Sequence, residues 1–328
     1  MPVLYLDSNI ISYLHHPDNY IKSNWQQHLS TLRRFLDDPA SEATVVYSPA
    51  HLMDVRAGLG KNKQQALEKL NFITEITKGS CLIKDIEAHT VGVIIKDAVD
   101  FFSRGRDTLE DFLQPGENGL DLVKIIEESA AFEKYKGIPI DYALFSKATA
   151  PLQIALARTK EFPTLHSVMC DLAVSFQEVL SNGHLLYKKL REKARTDTGT
   201  GSTIATHNDP LTALDAQLLK SAIGRRIEQV MMESFLSHAS NRQEIVGSLF
   251  MHLDLFGFQS DKLTPGHGYT SVTTDAEHCF YASYCDIFVT QDTKTAAKAK
   301  EVYSFLNLDT NVMDIDQMAE WIRSKQTA

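Results

Sequence analysis

The stretch Ser271–Asp292, SVTTDAEHCFYASYCDIFVTQD, decides how the rest of the chain is read. It divides into a helix opening with an acid, a short apolar run, and a polar turn closing on a second acid. Thr274-Asp275-Ala276-Glu277 matches the capping box, in which Thr and Glu satisfy free amide groups at a helix start. Asp275 would then lie in the first helical turn, where the partial positive charge of the helix favours a carboxylate. Ile287-Phe288-Val289 suits a buried parallel strand, with Thr290-Gln291-Asp292 at its C-terminal end. Open α/β sheets collect their chemistry at those strand ends. Asp275 and Asp292 are therefore candidates for one sheet edge, with Asp286 close in sequence.

The N-terminal block repeats the pattern. Val3–Leu6 reads as a strand that runs through Asp7-Ser8-Asn9 into a helix carrying Ile10, Ile11, Tyr13 and Leu14. Asp7 would end that strand, although Asp7 or Ser8 equally fits a plain helix cap. Trp25, Leu29, Leu32, Phe35 and Leu36 recur at helical spacing as far as Asp37-Asp38-Pro39. Thr44–Tyr47 is a second β-branched strand, and Ser48-Pro49 then reads as an N-cap followed by proline in the first helical position. Asp54 lies about one and a half turns into that helix, leaning back towards the strand end. Its plain alternative is a surface aspartate. A helix over 61–78 and a third strand at Cys81-Leu82-Ile83 complete this half.

From about residue 87 to 268 the strand signal fades. Helical spacing recurs over 91–102, 120–135, 142–158, 165–195 and 211–256, which describes one large helical insertion. Residues 196–208 read as a polar, glycine-rich loop. The densest basic run, Lys188, Lys189, Arg191, Lys193 and Arg195, precedes it, and Lys188, Arg191 and Arg195 would share a helix face. A solvated face is the default reading. Lys188, Lys189, Arg191 and Arg195 are also the chain's candidates for gripping phosphates. After the opening stretch come a helix over 293–305, a fifth strand at Asn311-Val312-Met313 and a last helix from Ile315.

Composition limits what such a chain does. With 43% hydrophobic residues in 328, it buries a sizeable core. A net charge of −9 argues against a broadly sticky polyanion binder, while leaving room for acids gathered at a metal. Its four cysteines lack zinc-site spacing, and neither a signal peptide nor a membrane-length apolar run is present. A cytoplasmic location is the expectation, with no membrane partner.

Three strands near the start and two near the end, each followed by a helix, predict a mostly parallel five-stranded sheet with helices on both faces. Asp7, Asp54, Asp275 and Asp292 all fall at strand ends or on adjacent helices. Four carboxylates in one place repel unless a cation neutralises them, and oxygen-only ligands suit Mg²⁺ or Mn²⁺. Caps and surface charges are the bland alternative for each acid.

The ordered blocks LYLDSNIISYL, VVYSPAHLMDV, TTDAEHCFYASYCDIFVTQD and NVMDIDQMAEWI resemble the PIN domain family of metal-dependent ribonucleases, over roughly residues 1–85 and 270–325, within parts expected at 1–86 and 269–328. The resemblance implies a three-layer α/β/α fold interrupted by the insertion at 87–268. It also implies a metal site of Asp7, Asp54, Asp275 and Asp292, with Asn9, Asp286 and Thr290 as supporting positions. Asp54 departs from the family's usual Glu, and the insertion exceeds anything in the compact toxin nucleases. His278, one turn from Asp275, reads as a packed or hydrogen-bonded histidine rather than a ligand or proton shuttle.

The function implied is endoribonuclease cleavage by metal-activated water. Implied partners are single-stranded or structured RNA, a second copy of the chain, and an inhibitory or regulatory protein. The alternative is a catalytically silent PIN-like scaffold whose insertion binds a protein. A phosphatase of the haloacid dehalogenase type ranks below both, because that family places Asp where this chain has Asn9.

Overall fold

A computed structural model describes residues 2–17, 23–59, 62–85, 90–104, 184–185, 187–200, 204–205, 207–221, 226–227, 242–264 and 269–326. The chain forms two compact units, Met1–Ser103 with Lys188–Ala328, and Arg104–Tyr187. Everything below concerns the first. The segment expected as a single insertion is thus divided, and residues 188–264 belong with the two ends of the chain. The helices expected at 120–135 and 142–158, and most of that at 165–195, lie outside the described residues.

The elements of the first unit, in chain order, are β1 (Val3–Leu6), α1 (Ser8–His15), α2 (Ser23–Asp37), β2 (Thr44–Val46), α3 (Pro49–Leu59), α4 (Lys63–Thr77), β3 (Ser80–Asp85), β4 (Thr90–Ile95), α5 (Ala98–Arg104), α6 (187–198), α7 (Pro210–Lys220), α8 (Arg242–Phe256), α9 (Tyr269–Ala282), β5 (Ile287–Val289), α10 (Thr293–Phe305), β6 (Asn311–Met313) and α11 (Ile315–Gln326). The fold is α/β. Its sheet is four-stranded and parallel, in the order β2-β1-β5-β6. These strands are short and almost wholly apolar because a parallel sheet is covered on both faces. Side chains alternate between the faces. Leu4, Leu6, Val45, Ile287, Val289 and Met313 join a core with Ile10, Leu32, Leu70 and Met318. Tyr5 and Phe288 point the other way, their rings edge to face at 5.7 Å. On that side α9 meets β1, with α8 packed against α9 and α10.

Four expectations need correction. The sheet has four strands where five were expected. The third predicted strand is β3, and it pairs antiparallel with β4 in a separate two-stranded sheet. A single bridge, Tyr47 to Cys81, ties it to the end of β2. Second, residues 91–102 are not one helix. Thr90, Val91, Val93, Ile94 and Ile95 are β-branched, and that preference outweighs an apparent helical spacing. The turn into this hairpin needs glycine at position 79, where φ is +73° and a Cβ would stand 3.0 Å from the Lys96 carbonyl oxygen. Third, α9 begins at Tyr269, so Thr274 is not its cap and Asp275 lies mid-helix. Buried Val272, Ala276, Cys279 and Phe280 form a stripe that starts before Thr274, and burial of that stripe overrides the local capping signal. The residues expected as a loop from 196 also differ, since α6 runs on to residue 198.

Asp286 stands at the amino edge of the sheet. Its Oδ2 accepts from the Val3 amide at 2.6 Å, and its own amide donates to the Val3 carbonyl at 2.9 Å. It fastens the start of β1 to β5. Asp286→Ala is expected to cost about 1 kcal/mol in urea denaturation, and to leave chemistry at the opposite edge unchanged.

Candidate active site at the carboxyl edge of the sheet

From β1 the chain moves to β2 on one side, while β5 and β6 lie on the other. The carboxyl ends of β1 and β5 therefore flank the topological switch point, where open α/β sheets leave a crevice for ligands. The register pairs Leu6 with Val289, which sets Asp7 beside Thr290. Asp7 is the N-cap of α1, its Oδ1 accepting from the Ser8 amide at 2.7 Å. Its Oδ2 accepts from Asn9 Nδ2 at 2.7 Å and Thr290 Oγ1 at 2.5 Å. Asn9 also accepts from the Gln291 amide through Oδ1 at 3.3 Å. Two of the supporting positions, Asn9 and Thr290, thus hold Asp7 across the switch point, and the third, Asp286, lies at the far edge.

Asp54, on α3, is engaged by a residue the sequence reading ranked low as a functional candidate. His278 Nε2 lies 2.8 Å from Asp54 Oδ2, and because an ionised carboxylate only accepts, Nε2 carries the proton. Nδ1 of His278 lies 2.8 Å from the Tyr5 hydroxyl, which is 2.6 Å from Ser48 Oγ. Next to them His51 Nδ1 accepts from the Ser48 amide at 3.0 Å. Its proton therefore sits on Nε2, which donates to the Leu6 carbonyl at 2.7 Å. One buried chain joins Asp54, His278, Tyr5 and Ser48.

The charges here are strongly coupled. Burial raises the Asp7 carboxyl above its ordinary range, and the nearby Asp54 adds to this against the pull of His278. Asp275 is raised well above its ordinary range, by burial first and then by Asp7, with a further push from Asp292. Burial alone would raise Asp54, but the His278 hydrogen bond and charge outweigh it and hold that carboxyl low. His278 is raised overall, the Asp54 hydrogen bond overcoming burial. Burial, followed by the charge of His278, lowers His51.

For His51 the sign is clear. Below about pH 6.5 the unfolded chain protonates a histidine that the folded chain keeps neutral, so stability present above that pH is lost on acidification. His278, raised, instead contributes fully below pH 6.5 and loses its contribution as pH rises through its folded value. His51→Asn keeps an acceptor for the Ser48 amide and removes the titration. Melting curves are expected to fall less between pH 7 and pH 5 for this variant than for wild type.

Asp292 is exposed and caps α10, its Oδ1 accepting from the Lys294 amide at 2.8 Å and the Thr295 amide at 3.0 Å. Among the described residues, no group of three or more His, Cys, Asp or Glu side chains is arranged to hold a metal ion. Asp7 and Asp292 follow the carboxyl ends of β1 and β5, while Asp54 and Asp275 lie on α3 and α9 within electrostatic reach of Asp7. The donor chemistry nonetheless suits a hard cation. Asp7 is buried, half-buried Asp275 is pushed up by burial and then by the charge of Asp7, and the Ser8 hydroxyl faces the Asp54 carboxylate. Lys69, on α4, adds a positive charge felt by both Asp54 and Asp7. Helical spacing marked α4 only as an amphipathic helix, so nothing in the sequence singled this lysine out.

The basic run divides. Lys188 and Lys189 are exposed, but Arg191 and Arg195 turn inward. Arg191 bonds the Asp254 carboxylate through Nε (2.9 Å) and Nη2, and donates to the Asp261 carbonyl at 2.5 Å. Arg195 donates to the Leu255 carbonyl at 3.1 Å and to Ser260 Oγ at 2.6 Å. Lys298, on α10 and 0% exposed, reaches Asp261 at 2.9 Å and Asp254 at 3.5 Å. The two arginines thus fasten α6 to the end of α8, and of the four residues expected to grip phosphates only Lys188 and Lys189 are exposed. No family model, curated protein or solved structure matches the chain.

Proposed function

We propose that this chain is a divalent-metal-dependent endoribonuclease that hydrolyses RNA phosphodiester bonds. One observation supports the reading: burial holds Asp7 and Asp275 above their ordinary range, and Asp7, at the carboxyl end of β1, feels the charge of Asp54 and pushes Asp275 up further. A Mg²⁺ or Mn²⁺ bound there would supply an acidified water and offset charge developing on the phosphodiester. Asp7 and Asp275 would hold it, with Asp54 and Asp292 completing the ring. Asn9 and Thr290 keep Asp7 in one orientation, and Lys69 offers a cation to a phosphate oxygen. The motif order resembling PIN domains points to RNA as the substrate.

Incubating single-stranded and hairpin RNA with the protein tests this, using Mg²⁺ or Mn²⁺ against EDTA. The expected result is cleavage in metal only, leaving 5′-phosphate ends. Cleavage that survives EDTA, or none under any condition, contradicts it. A second reading has its own observation: Asp54 is engaged by His278 and Asp292 by its own helix, as suits a silent scaffold. That reading expects no Mn²⁺ binding at millimolar concentration.

A further inference from the structure

We infer that His278 is a positioning residue that fixes the orientation of the Asp54 carboxylate, with Tyr5 and Ser48 behind it. The inference rests on the proposal that Asp54 serves a cation site. Asp54 sits mid-way along α3, where its side chain could take several rotamers. His278 selects one by holding Oδ2 at 2.8 Å, with the Ser8 hydroxyl as a second contact of the same carboxylate. The imidazole is itself fixed. It is 1% exposed, its second nitrogen is held by Tyr5 at 2.8 Å, and the His51 ring meets it edge to face at 4.8 Å.

Tyr5 is anchored in turn, fully buried on β1 with Ser48 Oγ at 2.6 Å. Orientation thus passes from the sheet, through α9, to a carboxylate on α3. Buried imidazole nitrogens are partnered in any role; what marks this one is that its Nε2 partner is a candidate site acid. Partners of this kind fix the ligand they touch, and losing one typically costs about 10–100-fold in metal affinity.

The test is calorimetric titration of Mn²⁺ into wild type, His278→Phe, His278→Gln and Tyr5→Phe, with imidazole NMR of the metal-free protein. His278→Phe is expected to lose about 10–100-fold in Mn²⁺ affinity, and His278→Gln, which keeps a donor for Asp54, about threefold or less. If His278→Phe fails to fold, Tyr5→Phe carries the test, with an expected loss of about 3–10-fold. The NMR arm expects a proton on His278 Nε2, shifted in Asp54→Asn. An unprotonated Nε2, or folded His278→Phe and Tyr5→Phe proteins that bind Mn²⁺ like wild type, overturns this inference alone. A wild type that binds no Mn²⁺ overturns the proposed function as well.

Discussion

Replacing Asp7 by Asn is expected to lower metal-dependent RNA cleavage by about three orders of magnitude, roughly 4 kcal/mol of transition-state stabilisation. It is also expected not to lower the melting temperature in EDTA. The two halves have one cause. The Asp7 carboxyl is raised by burial and by Asp54. A carboxyl raised on folding binds its proton more tightly in the folded chain. Stability therefore falls as pH rises from the ordinary carboxylate value through the folded one, and the deficit persists at neutral pH. An amide removes the charge and with it the deficit. The amide oxygen still accepts a hydrogen bond, and the Thr290 hydroxyl can reverse to accept from the amide nitrogen. Asp275→Asn should behave alike, since Asp275 is raised further still. A gain of 1 kcal/mol corresponds to about 2–4 °C for a unit of this size. Stabilisation with loss of activity marks an acid kept for function. A variant that melts lower and cleaves like wild type would assign Asp7 to capping α1 alone.

The largest effect on stability is expected from Asp254→Ala, at about 3–5 kcal/mol. Asp254 is 0% exposed and accepts from Arg191, Lys298 and the Asp261 amide. Its removal takes a carboxylate from a buried guanidinium and leaves the buried ammonium with Asp261, so much of the desolvation cost of those cations goes uncompensated. Lys193→Ala is the contrast: its bridge to Asp197 is exposed on both sides and should be worth less than about 1 kcal/mol. Both tryptophans, Trp25 on α2 and Trp321 on α11, lie in the first unit, so their fluorescence during urea unfolding reads this change directly.

What was legible in the sequence follows from range. β1, β5, α10 and β6 fall where short apolar runs meet an acid or a cap, because the signals that make them are local. Asp7, Asn9 and Thr290 could be placed together because each is tied to a strand end. The contacts that the sequence could not show depend on distant partners. Asp54 meets His278 across 224 residues, and Arg191 meets Asp254 across 63. Charge spacing alone cannot say whether an arginine faces solvent or a buried carboxylate. Asp286 directly precedes the Ile287–Val289 strand, so its place at the far edge was legible, and only the family resemblance kept it as a supporting position. In α9 a matching capping box lost to a longer buried stripe.

The central claim is that Asp7 and Asp275 share one cation. Calorimetric titration of Mn²⁺ into wild type, Asp7→Asn, Asp275→Asn and Asp286→Ala tests it most directly. The expected result is one site in wild type and Asp286→Ala, lost in both Asn variants. Absence of binding in wild type, or unchanged binding in Asp7→Asn and Asp275→Asn, would contradict it.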